Sequence, residues 1–209
     1  MVWQGRGITR NGVVALLLTL ALCVPITFAQ SEPARAQSIS APVCGAAATQ
    51  PSTASAALAA QATLCAVNRE RAARGLQRLS WQAQLASEAQ AYSQQMVAQG
   101  FFSHVAPGGM DLHRRNASYM CGRVNWHLGE TLAWEAGPQN TPEGVVAAWL
   151  GSPPHRKLLL DPSFHDIGVG VASGVPVSDV GVPGSTYAIE LGVRGGIRGT
   201  AACRASTAR

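Results

Sequence analysis

Apolar positions recur at helical spacing in the first half of the chain and alternate near its end. From Ser55 to Arg74 an alanine-rich, helix-permissive segment carries Leu64, Val67, Asn68 and Arg71 as a stripe on one face, and Gly75 is placed to end it. From about Trp81 to Gln99, Leu85, Ala89, Tyr92 and Met96 share a face, with Gly100 as terminator. Thr141-Pro142-Glu143 marks a third helix, with threonine as N-cap, proline at the first position and an acid toward the positive end of the dipole. Val145, Val146, Trp149 and Leu150 are its apolar residues. Ser152-Pro153 repeats the start signal for a short fourth helix, which runs through Leu160 and stops at Asp161-Pro162. The period then becomes two: Ile167, Val169 and Val171 predict one strand, and Tyr187, Ile189, Leu191 and Val193 a second. A glycine- and proline-rich loop over 173–185 joins them. Residues 101–140 show no sustained period, only a turn at Pro107-Gly108-Gly109 and a short apolar piece from Leu128 to Trp134, so they read as irregular. Helices first and strands after predict an α+β fold, with helices packed on a small antiparallel sheet.

The N-terminus follows a different logic. Arg6 and Arg10 precede an almost purely apolar run from Val13 to Val24, which Pro25 breaks. Thr27-Phe28-Ala29 then offers small residues at the −3 and −1 positions of a cleavage site. This pattern predicts a secretory signal peptide over 1–29. Ala34 and Ala36 repeat the spacing as a second site, and Leu22 before Cys23 argues against a lipoprotein signal. Residues 30–55, rich in Ala, Ser, Pro, Gln and Thr, read as a linker. Residues 56–195 form the domain, and 196–209 a tail. No later apolar stretch is long enough to span a bilayer, so the processed chain is not read as an integral membrane protein.

Composition narrows the class further. Of 209 residues, 47% are hydrophobic, which excludes wholesale disorder, and 13% are charged, about half the usual share. Sixteen basic residues against eleven acidic ones give a net charge of +5, and cleavage after Ala29 lowers it to +3 by removing Arg6 and Arg10. The excess contains no basic run and only one lysine, Lys157, so nucleic acid is not an expected partner. Cleavage also removes Cys23, leaving Cys44, Cys65, Cys121 and Cys203. An even number in an exported chain predicts two disulfides, with three connectivities open. Cys44 with Cys65, close in sequence, and Cys121 with Cys203 by exclusion is the expected pairing. No CxxC pair is present to suggest a zinc ribbon or redox site.

The candidates for chemistry are histidines and nearby acids. His104 follows Phe101-Phe102-Ser103 just beyond a helix end, His155 lies in the first turn of the short fourth helix, and Glu130 follows Gly129 in an apolar stretch. Only a fold could bring these three together. His113, His127 and His165 read as structural. Ser103 and Ser152 each lie near a histidine, but no GxSxG elbow is present, and Ser152 is better read as an N-cap. There is no HExxH, P-loop or dinucleotide fingerprint.

Taken in order, a set of motifs resembles the CAP superfamily of cysteine-rich secretory, antigen 5 and pathogenesis-related proteins, in particular its small exported bacterial SCP-domain branch. They begin with Leu64-Cys65-Ala66-Val67-Asn68-Arg69-Glu70-Arg71, then Gly75-Leu76 and Leu79. Phe101-Phe102-Ser103-His104, Pro107-Gly108 and Gly129-Glu130-Thr131-Leu132-Ala133 follow. Pro142 with Val145, Val146 and Trp149, then Ser152-Pro153-Pro154-His155-Arg156 and Ile167-Gly168-Val169-Gly170, complete the series. The resemblance spans about residues 60–193.

It implies a three-layer α-β-α sandwich with a cleft in which His104 and His155 match the two family histidines and Glu130 the acid after the motif glycine. In some members these histidines bind zinc or another divalent ion, so His104 and His155 become the expected ligands and Zn²⁺ or a similar cation the expected cofactor. Thr131 and Leu158 stand where the family often has Asn, and Pro154 where it usually has Gly. Many members carry a second cleft glutamate on the helix before His155. Here Glu143 sits too far back, and Glu135 is the alternative. The expected function is an extracellular binding module, secreted or periplasmic, whose partner is an extracellular protein, a cell-wall component or a lipid. A metal-dependent peptidase or esterase and a sterol or lipid carrier remain as alternatives.

Overall fold

The computed structural model describes residues 44–178 and 180–196. The expected signal peptide, most of the linker, Cys203 and residues 197–209 of the tail lie outside the described residues. Two 3-10 turns, Ala46–Ala48 and Thr53–Ser55, lead into helix α1 (Ala56–Ala72). Next come strand β1 (Ser80–Trp81), helix α2 (Ala83–Gln99) and the short helices α3 (Leu112–Arg115) and α4 (Ala117–Met120). Strand β2 (Asn125–Ala136), helices α5 (Pro142–Gly151) and α6 (Pro153–Leu159), and strands β3 (Asp166–Ser173) and β4 (Gly184–Gly195) complete the order.

The sheet order is β1-β3-β4-β2. β4 pairs antiparallel with both β3 and β2, whereas the two residues of β1 run parallel to β3, a departure from the purely antiparallel sheet expected. β2 is the larger difference, since its 12 residues occupy a segment expected to be irregular. They pair with β4 from Asn125↔Gly195 to Ala136↔Gly184. Its period was hidden because both faces are covered: five consecutive residues, Leu128 to Leu132, are buried, so apolar and polar positions do not alternate.

Tyr187, Ile189 and Leu191 of β4 face α1, α5 and α6, packing with Leu64, Val67, Trp149, Leu159 and Phe164. Ala188 and Leu132 face the other way, onto Ala89, Tyr92 and Met96 of α2. Leu128 extends that second layer toward Leu85 and Tyr119. Helices therefore cover both faces of the sheet, the three-layer arrangement the resemblance implied.

Polar residues of α1 fix what lies beside it. Asn68 Nδ2 donates to Leu79 O (2.9 Å), and Leu79 N–H donates back to Asn68 Oδ1 (2.8 Å). Arg71 is fully buried and donates to Gln77 O (2.8 Å), Leu159 O (2.8 Å) and Asp161 O (3.0 Å), capping the C-terminal end of α6 from inside. Cys44 and Cys65 form the expected disulfide, with Cα atoms 5.5 Å apart, fastening the segment before α1 onto that helix. Cys121 is also disulfide-bonded.

The sheet lies so close to α2 that β3 admits no side chain at two positions. A Cβ on Gly168 would overlap the backbone of Leu85 and Ala86, and one on Gly170 that of Ala89 and Gln90. Gly170→Ala is expected to lower stability by about 3 kcal/mol, the upper part of the range for overpacking against backbone. Gly151→Ala, whose added Cβ meets open space, is expected to be near neutral, and urea unfolding of both variants checks the contrast.

Candidate functional site

His104 is placed by the way α2 ends. Gly100 adopts the left-handed conformation (φ 63°) as C-cap, and Phe101 N–H donates to Met96 O (3.1 Å), turning the chain back over the sheet. Tyr92 O–H donates to Ser103 O (2.5 Å), and a bridge between Ala106 and Met110 closes the following turn. This sets His104 above β2, where its Nδ1 lies 2.6 Å from Glu130 Oε1. The His104 side chain is 62% exposed, while Glu130 behind it is only 3% exposed.

Arg115, from α3, holds the other oxygen. Its Nη2 donates to Glu130 Oε2, and its Nη1 donates to His104 O and Met110 O, each at 3.3 Å. The guanidinium carbon sits 3.4 Å from the centroid of the Tyr92 ring, a cation–π contact in a dry setting. Its Nε faces Glu190 Oε1 at 3.6 Å. Glu190, on β4, is directly opposite Glu130 in the ladder. Asn116 and Arg115 are the polar side chains beside its buried carboxyl group.

Like charges directly opposite in a sheet repel, and protonation relieves this pair. Burial pushes the Glu190 carboxyl up to about 8, opposed by Asn116 and Arg115 and reinforced by the charges of Glu130 and Glu88. At neutral pH Glu190 therefore carries its proton, and the buried group is a single ion pair, Arg115 with Glu130, beside a neutral acid.

The two expected cleft histidines titrate in opposite directions. The bond to Glu130 holds His104 above the ordinary imidazole range, against the pull of burial and of Arg115. His155, partly buried in the first turn of α6, is held below that range, first by burial and then by the charge of His104. Because an ionised carboxylate only accepts hydrogen bonds, Nδ1 of His104 is the donor, and the neutral ring keeps its lone pair on Nε2.

Other expectations fall elsewhere. Glu135 occupies the opposite side of β2 from Glu130, by the alternation of strand side chains. Glu143 pairs with Arg69 on the surface at 2.7 Å. The second acid near the site is instead Glu190. Ser103 Oγ accepts from Val105 N–H (3.1 Å), and Ser152, at its N-cap position, makes no side-chain cap bond. His113 lies tilted against Trp126, and His127 stacks on Phe164. Among the described residues, no group of three or more His, Cys, Asp or Glu is arranged to hold a metal ion.

The sequence profile of the cysteine-rich secretory protein family, CAP, matches residues 64–180. The chain belongs to this family. The matched span holds His104, Arg115, Glu130 and His155, whereas Glu190 lies beyond it. Two Bacillus subtilis proteins are similar to this CAP chain. One is the uncharacterized protein YkwD, 39% identical over 108 residues, covering 51% of this chain and 40% of the relative. The other is the uncharacterized membrane protein YlbC, 34% identical over 100 residues, covering 46% of this chain and 27% of the relative. Among solved structures, an SCP-domain extracellular protein from Bacillus anthracis superposes with a TM-score of 0.52 at 28% identity, over 69% of this chain and 41% of that one. This CAP chain thus spans well under half the length of these relatives. Among the described residues, no helix is long and apolar enough to cross a membrane.

Two measurements follow from the electrostatics of the CAP site. In metal-free protein, the ring resonances of His104 are expected to titrate at higher pH than those of His155, and Glu130→Gln to bring the His104 midpoint down toward the ordinary range. Since the folded His104 pKa is raised, its charged pair with Glu130 stabilises fully below the ordinary imidazole value, and that contribution fades as pH rises through the folded value. Glu190 has the same sign. Its folded carboxyl keeps its proton when the unfolded one has lost it, so stability falls between the ordinary carboxylate range and about pH 8. Glu190→Gln is expected to flatten that slope and to be more stable than the parent above pH 8, as read by urea midpoints across pH.

Proposed function

We propose that this CAP domain is an exported binding module whose cleft presents His104 as an oriented imidazole for a divalent cation, zinc or a similar ion, with His155 as the second protein ligand. The observation that carries this reading is the 2.6 Å bond from His104 to a Glu130 whose other oxygen is held by Arg115. A ligating histidine usually gives its other ring N–H to such a carboxylate, which fixes the tautomer and raises the basicity of the free nitrogen. With both oxygens engaged, Glu130 orients and does not coordinate. Two imidazoles suit zinc as a donor set and leave its remaining positions to water or to a group carried by a partner.

When bound, such an ion supplies Lewis acidity. Around it, this chain holds the imidazole through Glu130, whose side chain is buried against Arg115. Export is supported by the N-terminal pattern and by likeness to a protein described as extracellular. The partner is taken to be extracellular: a protein, a cell-wall component or a lipid.

Zinc titration calorimetry on the oxidised, metal-free mature chain is expected to give about one equivalent, set by one two-histidine site. Binding should vanish in His104→Ala/His155→Ala. It should weaken about 10–100-fold in Glu130→Gln, as expected for removal of an orienting carboxylate. Equal binding by the parent and the double variant, or none by either, rejects the metal reading.

A further inference from the structure

We propose that the outward edge of β2, from Trp126 to Glu130, takes up an extended acidic polypeptide segment as an added strand running past His104. β2 is the last strand of the sheet on its side. The direction of its backbone groups follows from bonds on β4. Gly192 O accepts from His165 N–H (3.2 Å) and Gly184 O from Gly174 N–H (2.8 Å), so the even-numbered residues of β4 turn their amides and carbonyls toward β3. Their partners in β2, Leu128 opposite Gly192 and Glu130 opposite Glu190, therefore turn theirs away from the sheet.

Leu132 O has the same outward direction and is met by Trp149 Nε1–H at 3.0 Å, which closes the edge at that point. Before it, the outward backbone groups of Trp126, Leu128 and Glu130 have no hydrogen-bond partner among the described residues. The unpaired stretch is about 13 Å long at ordinary strand rise, exposed at Trp126 and narrowing to 7% exposure at Leu128 and Glu130. An unpaired row of this kind is a template for another chain unless it is blunted by charge, proline or a covering element.

The chemistry of that row selects the occupant. Amides and carbonyls repeating every second residue are matched by another peptide backbone, in the manner of strand addition. The flanking segments are cationic. α3 and turn 121–124 contribute Arg114 and Arg123, against one acid, Asp111, which is engaged in capping α3. The Glu130 charge is matched by Arg115. Exposed apolar side chains also border the edge: Trp126 at its start, and Phe102 and Val105 on either side of His104. An incoming strand with carboxylates among apolar residues complements both features.

This inference rests on reading the chain as a binding module, but not on metal at His104, so its test is run with chelator present. The probe is an acetylated, amidated heptapeptide of alternating glutamate and valine, added to the mature oxidised chain. The expected result is slower amide hydrogen exchange at Trp126, Leu128 and Glu130 by about tenfold or more, with little change at Gly129 and Thr131, already paired to β4. A lysine–valine counterpart should bind about tenfold more weakly, and N-methylation of one alternate set of peptide amides should abolish protection. Absent protection at millimolar peptide, equal binding by the lysine peptide, indifference to N-methylation of either set, or edge-to-edge dimers in sedimentation would each overturn it. Loss of zinc binding alone would leave it standing.

Discussion

Two glutamates placed opposite one another inside a sheet are tolerable only if their repulsion is removed, and here Glu190 keeps its proton while Arg115 pairs with Glu130. The arginine reaches Glu130, faces Glu190, lies on the Tyr92 ring and bonds the carbonyls at His104 and Met110. Those contacts join α2, α3, the loop after α2, the edge strand β2 and its neighbour β4. The exposed imidazole is held from beneath by a charged pair that water scarcely reaches, so its orientation depends on residues no ligand would touch. Removing one member of such a pair leaves the other buried and uncompensated, which is more damaging than replacing both.

Much of this was legible in the sequence. The stripe Leu64, Val67, Asn68 and Arg71, the terminator Gly100 and the Thr141-Pro142-Glu143 start correspond to α1, the end of α2 and the start of α5. The Cys44–Cys65 bond was expected from proximity alone. β2 was not legible, because a strand buried on both faces loses the alternation by which strands are recognised. Glu190 was missed for a related reason. Tyr187, Ile189, Leu191 and Val193 marked one face of β4, and nothing in the pattern showed that α2 covers the positions between them. Arg115 gave no signal either. Nothing in His113-Arg114-Arg115 distinguishes the third residue from its neighbours, and only the fold shows that it points inward.

The glycines of β3 show how tightly the layers constrain one another. With no side chain at Gly168 and Gly170, α2 rests on the strand backbone, which places Tyr92 low enough for Arg115 to lie on its ring. On the opposite face, the buried guanidinium of Arg71 holds the end of α6 through the carbonyls of Leu159 and Asp161. One layer therefore sets the height of His104 and the other the position of His155.

That division puts the two histidines on different layers. His104 is carried by the α2 side of the sheet, above β2, and His155 by α6 on the other side. A ligand gripped by both would act as a clasp between them, binding the assembled sandwich and neither layer alone. Its binding free energy would then add to the cohesion of the whole domain, by an amount rising with the logarithm of its concentration. Separation of the two helical layers would become a ligand-dependent event.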